Sequence, residues 1–420
     1  MKSMRVLHVT PEFPPVIWGG LGTAVGGLAN ASAREGLEVA VLLVGGVLVL
    51  DHVGTERAYG QPTPGWKGMR TGSPVPVNPD GVAFFHVSPD EAIRAAVELA
   101  RAWKPDVVHL HTGWLGHVAR AIQREAGIPY VFTVHSLDRV EYQHGIFMWG
   151  WETQEAAIAG ADRVIAISAS EKALIGEYCA YALDRVRVVG NGIDDRRDAL
   201  DAVRSRKAVG APLILYSGRF VDRKGIRELL EAIPVVLDQV PGARVVLAGG
   251  YGGGAEIERT WLIDVLRPYR DRVHFTGWLT PNEVAAWYAA ADILVVPSWY
   301  EPFGMVVLEG MLYGLAIAAS DVGGPAEILE HGRTGILFPP RNAQALADAV
   351  VRLSADPLLR QRIALAAAGQ VRRRWLWPRL VDRMSAVYRE LVTEAPAAMM
   401  SCGRGQQQPF VPSQPHCHAA

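Results

Sequence analysis

Short apolar runs alternate with helical stretches along nearly the whole chain, and this alternation restricts the fold to parallel strands layered with helices. Strand-like runs fall at 4–9, 37–44, 106–111, 130–135 and 164–168, with a small-residue helix expected over 22–33. A second series follows at 213–216, 244–248, 273–276, 293–296 and 315–319. At 420 residues the chain is too long for a single core, and the two series divide it into two α/β units. The first unit is expected over 1–194 and the second over 208–374, with the charged stretch between them as a linker. Residues 375–395 read as a terminal helix interrupted at Pro378, and 396–420 as a disordered tail rich in Gln, Pro, Ser and His.

The chemistry concentrates at Glu301-Pro302-Phe303-Gly304-Met305-Val306-Val307-Leu308-Glu309. The apolar run before it ends as a buried strand, and the run after it reads as a helix closed by Gly314. Glu301 therefore sits on the turn at the carboxyl end of a strand, and Glu309 lies about a turn and a half into the helix. The free backbone N–H groups near Phe303, Gly304 and Met305 attract phosphate. A carboxylate on either side of such a site suits a ligand with hydroxyls at both ends and phosphate in the middle, which is the layout of a nucleotide sugar. The run resembles the E-x7-E motif of retaining glycosyltransferases of family 4, which have the GT-B fold and lie close to glycogen and starch synthases. That resemblance implies that Glu301 holds the sugar and Glu309 the ribose.

Ser217-Gly218-Arg219-Phe220-Val221-Asp222-Arg223-Lys224-Gly225 follows the first strand of the second unit. Gly218 allows a sharp turn, so Arg219 and Lys224 can both point into the crevice at the strand ends. A departing nucleoside diphosphate gathers negative charge, and no acidic pair suited to holding a magnesium ion stands nearby. The two cations are therefore expected to stabilise it without metal or cofactor. The family likewise places an Arg and a Lys, five residues apart, on the diphosphate. His135 ends a strand of the first unit in Thr133-Val134-His135-Ser136-Leu137. By itself it reads as a structural histidine. The resemblance places it against the transferred sugar.

Pro11-Glu12-Phe13-Pro14-Pro15-Val16-Ile17-Trp18-Gly19-Gly20-Leu21-Gly22 resembles the glycogen synthase loop carrying K-x-G-G-L. Gly19 and Gly20 keep the close backbone approach to the donor, but Ile17 replaces the expected Lys. His109 and His111 share a strand face and resemble the family's H-x-H-D-W without its Asp; they are expected to serve packing and acceptor contacts. Gly323-Gly324-Pro325 is a further turn that the family sets beside the donor, with Pro325 expected to open a helix. Gly249-Gly250-Tyr251-Gly252-Gly253-Gly254 lacks the dinucleotide fingerprint and is expected to line the nucleoside flexibly. His274 to Leu279 are expected near the base by the same resemblance. Trp149 and Trp151 can stack on acceptor sugars or simply pack.

A net charge of −1 gives no electrostatic case for nucleic acid or a polybasic membrane contact. Three cysteines, Cys179, Cys402 and Cys417, form no disulfide framework and fit a cytoplasmic protein, and the first residues lack a signal peptide's apolar stretch. His416 and His418 beside Cys417 read as incidental.

The expected architecture is two Rossmann-like domains facing a cleft, with the terminal segment crossing back to the first. The expected reaction is transfer of a hexosyl group, glucose first, from an ADP-, UDP- or GDP-sugar to a carbohydrate acceptor with retention. The alternatives are a GDP-mannose or UDP-sugar transferase acting on a lipid or small molecule, and a nucleotide-sugar epimerase on the same fold.

Overall fold

The computed structural model describes residues 3–14, 17, 19–45, 78–144, 150–196, 199, 201, 211–250 and 265–401, the last eight by their backbone. In the first domain the strands are β1 (Arg5–Thr10), β2 (Glu38–Val44), β3 (Ala83–Val87), β4 (Val107–Leu110), β5 (Tyr130–Val134), β6 (Arg163–Ala166) and β7 (Val186–Val188). They form one parallel sheet in the order β3-β2-β1-β4-β5-β6-β7. Its helices are α1 (Gly20–Arg34), α2 (Ala92–Trp103), α3 (Gly116–Ala126), α4 (Asp138–Gln143), α5 (Trp151–Gly160) and α6 (Ala169–Tyr178). The apolar residues of the central strands are buried on both faces, so these strands read as continuous hydrophobic runs.

The second domain repeats the plan. Strands β8 (Leu213–Ser217), β9 (Arg244–Ala248), β10 (Val273–Gly277), β11 (Ile293–Val296), β12 (Ala316–Ser320) and β13 (Ile336–Phe338) pair in parallel in the order β10-β9-β8-β11-β12-β13. They are flanked by α7 (Ile226–Gln239), α8 (Pro281–Ala290), α9 (Met305–Leu312), α10 (Gly323–Ile328), α11 (Ala343–Ala355) and α12 (Pro357–Arg374). In each sheet the strand order reverses once, at β1/β4 and at β8/β11. Open parallel sheets bind ligands in the crevice at such reversals. The loops after β1, β8 and β11 carry Gly19 and Gly20, Arg219 and Lys224, and Glu301.

Four local expectations differ from the structure. Strands β3, β7 and β13 stand at sheet edges and carry no marked apolar run: β7 and β13 have three residues each, and β3 buries only Phe84. Pro378 does not interrupt the terminal helix: α12 ends at Arg374, and α13 (Trp377–Ser401) starts one residue before the proline. A first-turn proline sacrifices no intrahelical bond, because those N–H groups lack partners anyway. The helix also runs past Pro396 to Ser401, through Ala397, Ala398, Met399 and Met400, which are good helix formers. Pro325 is the third residue of α10, not its first, and the same tolerance applies.

Helix α13 leaves the second domain and covers one face of the first sheet. Trp377, Leu380, Val381, Met384, Val387, Tyr388 and Leu391 share a buried cluster with Val6, Val107, Val131 and Ile165. Both chain crossings between domains lie side by side: Ile193 N–H donates to the Trp375 carbonyl at 2.8 Å, and Trp377 N–H to the Ile193 carbonyl at 3.2 Å. Gly27 and Gly192 leave room for the Trp377 indole, since a Cβ on either would come within 2.4 and 2.6 Å of it. Trp377→Ala should therefore cost about 3–5 kcal/mol, the range for emptying a buried aromatic site. A denaturant midpoint equal to that of the parent protein would contradict this account of the crossing.

Candidate active site

The second-domain half of the site is built from turns that only glycine permits. Gly225, between the short 3-10 turn Asp222–Lys224 and α7, has φ 65°, and a Cβ there would lie 2.0 Å from the Pro297 carbonyl oxygen. A Cβ on Gly324 would meet the Phe303 carbonyl oxygen at 1.9 Å, and one on Gly249 the Gly218 carbonyl oxygen at 1.9 Å. The backbone thus holds the Lys224, Glu301 and Gly323 loops together: Trp299 N–H donates to the Arg223 carbonyl at 3.0 Å, and Gly324 N–H to the Glu301 carbonyl at 3.0 Å. Gly249 and Gly250 support the Arg219 turn, with Phe220 N–H donating to the Gly250 carbonyl at 2.9 Å.

On this frame Lys224 Nζ lies 2.5 Å from Glu301 Oε2, and the Ser298 hydroxyl donates to the same oxygen at 3.0 Å. Glu301 is buried. Burial opposes its charge, but Lys224, Arg223 and Ser298 outweigh burial and hold the carboxyl below its ordinary range. Burial also loosens the proton on Lys224 against the pull of Glu301. The pair stands as ammonium and carboxylate. Arg219 is exposed, yet its surroundings and the Arg223 charge weaken its hold on its proton, against Glu141, Glu12 and Glu301. Carboxylates of both domains thus act on Arg219.

Gly304, with φ 94°, caps α9, and Val307 N–H is the first helix amide bonded back, to the Gly304 carbonyl at 2.9 Å. The amides of Met305 and Val306 precede it and face the helix end. Phe303 contributes only backbone, because its ring is buried against Trp375 with centroids 5.6 Å apart. Glu309 is half-buried on α9. Burial raises its pKa, and Tyr288 and Arg196 draw it back.

Across the cleft, Gly19 and Gly20 stand at the start of α1. A Cβ on either meets no described residue within 4 Å, so packing among the described residues does not explain these glycines. Glu12 is buried and accepts from Gly22 N–H at 3.2 Å. His135 follows β5, with its Nε2 3.2 Å from His111 Nδ1. His109 and His111 are buried, which makes them part of the packing and removes them from direct acceptor contact.

Residues that sequence reading passed over join the domains. The Tyr300 hydroxyl accepts from Leu137 N–H at 3.2 Å and donates to Glu171 Oε1 at 3.1 Å. Leu137 lies two residues after His135, and Tyr300 one before Glu301, so this hydroxyl ties the His135 and Glu301 loops together. Glu327 accepts from the first amides of α6, Ala169 and Ser170, at 2.8 and 2.7 Å. Beside these links a cleft of about 320 Å³ opens between the domains, lined by Glu171, Trp299, Tyr300, Glu301 and Gly323. The only local signal for Tyr300 was its place in the same run as Glu301.

Gly277, within the 274–279 segment, lies beside the Arg219 turn and accepts from Gly249 N–H at 3.1 Å. The face of Trp151 is covered by the Arg139 guanidinium, 3.7 Å from the ring centroid, so it packs. His274 tilts against Trp287 with centroids 5.8 Å apart. Trp149, Tyr251 to Gly254, Cys402, His416, Cys417, His418 and most of the linker lie outside the described residues.

Burial pushes Glu171 up to about 7 from 4.5, with Tyr300 opposing. The folded chain keeps a proton that the unfolded chain releases above pH 4.5. Its contribution therefore turns unfavourable as pH rises through that window and stays so above it. Asp138, raised to about 7 by burial and Glu141, acts in the same direction. Glu171→Gln keeps an acceptor for Tyr300. It should stabilise the protein at pH 8 by at most on the order of 3 kcal/mol and leave it unchanged at pH 4.5. Equal shifts at both pH values would show that Glu171 ionises freely.

Residues 18–197 match the family model described as Glycosyltransferase Family 4, and residues 211–356 match Glycosyl transferases group 1. The glycogen synthase of Mycobacterium tuberculosis is 30% identical, over 97% of this chain and 97% of its own. The alpha-maltose-1-phosphate synthase of Mycolicibacterium smegmatis is 29% identical, over 92% of this chain and 100% of its own. Among solved structures, sucrose-phosphate synthase from Thermosynechococcus elongatus superposes with a TM-score of 0.70 at 25% identity, covering 93% of this chain and 99% of its own. Two parallel sheets with reversals facing one cleft, and relatives matched over nearly their whole length, identify the chain as a glycosyltransferase of family 4 with the GT-B fold, similar to glycogen and starch synthases.

Proposed function

We propose that the protein transfers a hexosyl group, glucose first, from a nucleoside diphosphate sugar to a carbohydrate acceptor, with retention at the anomeric carbon. The observation that carries this reading is the pair of half-buried Lys224 and buried Glu301 beside the open N-terminus of α9. Glu301 has a second carboxylate oxygen to accept from sugar hydroxyls. Lys224 has N–H groups left for the diphosphate after bonding Glu301. Arg219 and the α9 amides add donors to the same phosphates, and Glu309 on that helix takes the ribose. Gly19 and Gly20 offer bare backbone from the other domain, where the diphosphate needs close approach. His135 faces the sugar from the first domain.

Charge grows on the diphosphate as the glycosidic bond breaks, and the transition state at the sugar is oxocarbenium-like. Lys224 therefore favours the transition state over the ground state. The leaving phosphate is the base for the acceptor hydroxyl, on the same face as departure. With the cations in place, no metal is assigned a step. The likeness to glycogen synthase favours a glucan acceptor.

A nucleotide-sugar panel scored by diphosphate release, with and without maltooligosaccharide, tests this reading. Release is expected to depend on the oligosaccharide and to survive EDTA. Release of an isomerised sugar without acceptor would favour an epimerase, and activity lost in EDTA and restored by Mg²⁺ or Mn²⁺ would overturn the metal-free mechanism.

Lys224→Ala should lower turnover on the order of a hundredfold or more, with a smaller change in the donor KM. It also strands Glu301, and breaking a buried pair costs about 3–5 kcal/mol. Lys224→Ala combined with Glu301→Gln should recover stability without recovering turnover. Unchanged turnover with a raised donor KM would refute the catalytic role.

A further inference from the structure

A chain of histidines runs inward from the proposed sugar site. Strands β1 and β4 pair so that His8 lies beside His109, and His111 follows at the end of β4. His8 Nδ1 lies 2.8 Å from His111 Nε2. Their rings are within 10° of coplanar with centroids 5.1 Å apart, the arrangement of an edge-to-edge N–H···N bond. His111 Nδ1 lies 3.2 Å from His135 Nε2. His109 stacks on the face of His111 at 4.1 Å, and its own nitrogens lie 2.6 Å from the Tyr388 and Thr133 hydroxyls. The nitrogens of His8, His109 and His111 fall within 4.8 Å of one another, as metal ligands would. However, both His109 nitrogens are occupied, its ring lies face-on to His111, and His8 points at His111, so the lone pairs do not converge on one point.

Each bond between two neutral imidazoles needs one N–H and one lone pair. His8 Nε2 is buried and has no hydrogen-bond partner among the described residues. If the chain ran inward, His8 would carry its proton on that nitrogen, as a buried N–H without acceptor. Orphaned buried N–H groups are rarer than under-used acceptors. The outward direction leaves only a lone pair there. Burial lowers His8 to about 3 and His135 to about 4, so the rings stay neutral at ordinary pH.

We propose that His8 and His111 are positioning residues that fix the tautomer of His135. His8 Nδ1–H donates to His111 Nε2, and His111 Nδ1–H donates to His135 Nε2. His135 then keeps its proton on Nδ1, as a donor for an acceptor oxygen of the bound sugar. This last clause rests on the proposed function; the tautomer does not.

Nitrogen-15 spectra of the full chain, with one histidine assigned at a time by substitution, read the tautomers directly. His111 and His135 are expected as Nδ1–H forms in the parent protein. An Nε2–H form of His135 overturns the proposal whether or not His111→Leu folds. In His111→Leu, His135 should shift toward Nε2–H and turnover should fall about tenfold, the size of one lost hydrogen bond, with little change in donor KM. His111→Asn, whose side-chain amide can still donate near the Nδ1 position, should recover most of the loss. An unchanged His135 tautomer in His111→Leu, or no recovery in His111→Asn, also overturns it. Absence of glycosyl transfer with His135 in the Nδ1–H form would refute the functional reading and leave the histidine chain standing.

Discussion

The contact between half-buried Lys224 and buried Glu301 organises the second-domain half of the site. Two opposite charges out of water are tolerated only with close geometry and further hydrogen bonds, and here Ser298 and Arg223 supply the support. The pair joins the loops after β8 and β11, the two strands between which the second sheet reverses. It thereby places a cation and an anion, each with unused hydrogen-bonding capacity, where a parallel sheet opens its crevice. A lone charge of either sign there would shift its pKa or draw in water.

The glycines around this pair act through contact as much as conformation. Gly225, Gly249 and Gly324 let three loops touch backbone to backbone, which keeps the charges from drifting apart. Gly19 and Gly20 are different, because no described residue fills the space beside them. The first group is explained by the fold alone. The second leaves its backbone open toward the cleft.

Much of this was legible in the sequence because it is local. Alternating runs marked the strands near the sheet centres, where burial on both faces makes them apolar, and Glu301 and Lys224 stood out beside elements with clear end signals, with Glu309 inside the helix that follows Glu301. Edge strands β7 and β13 had three residues each, too few to show a period, and β3 buries only Phe84. Tyr300, Glu171, Glu327 and His8 were not legible because their partners are distant in the chain: Tyr300 meets Leu137 across 163 positions, and His8 meets His111 across 103. A tyrosine in a loop and a histidine in an apolar strand carry no mark of such meetings. Phe303 belonged to the right motif, but its ring faces the crossing point and only its backbone faces the helix end.

The order in which the two domains can be completed follows from α13. The second domain is one uninterrupted stretch and has all its described strands once Phe338 has been made. The first domain has all its described strands by Val188, yet one face of β1, β4, β5 and β6 waits for Trp377 to Leu391. During synthesis that greasy face stands open while the whole second domain emerges and folds beside it. The ribosome thus delivers the last covering of this protein's earlier half at the end of synthesis.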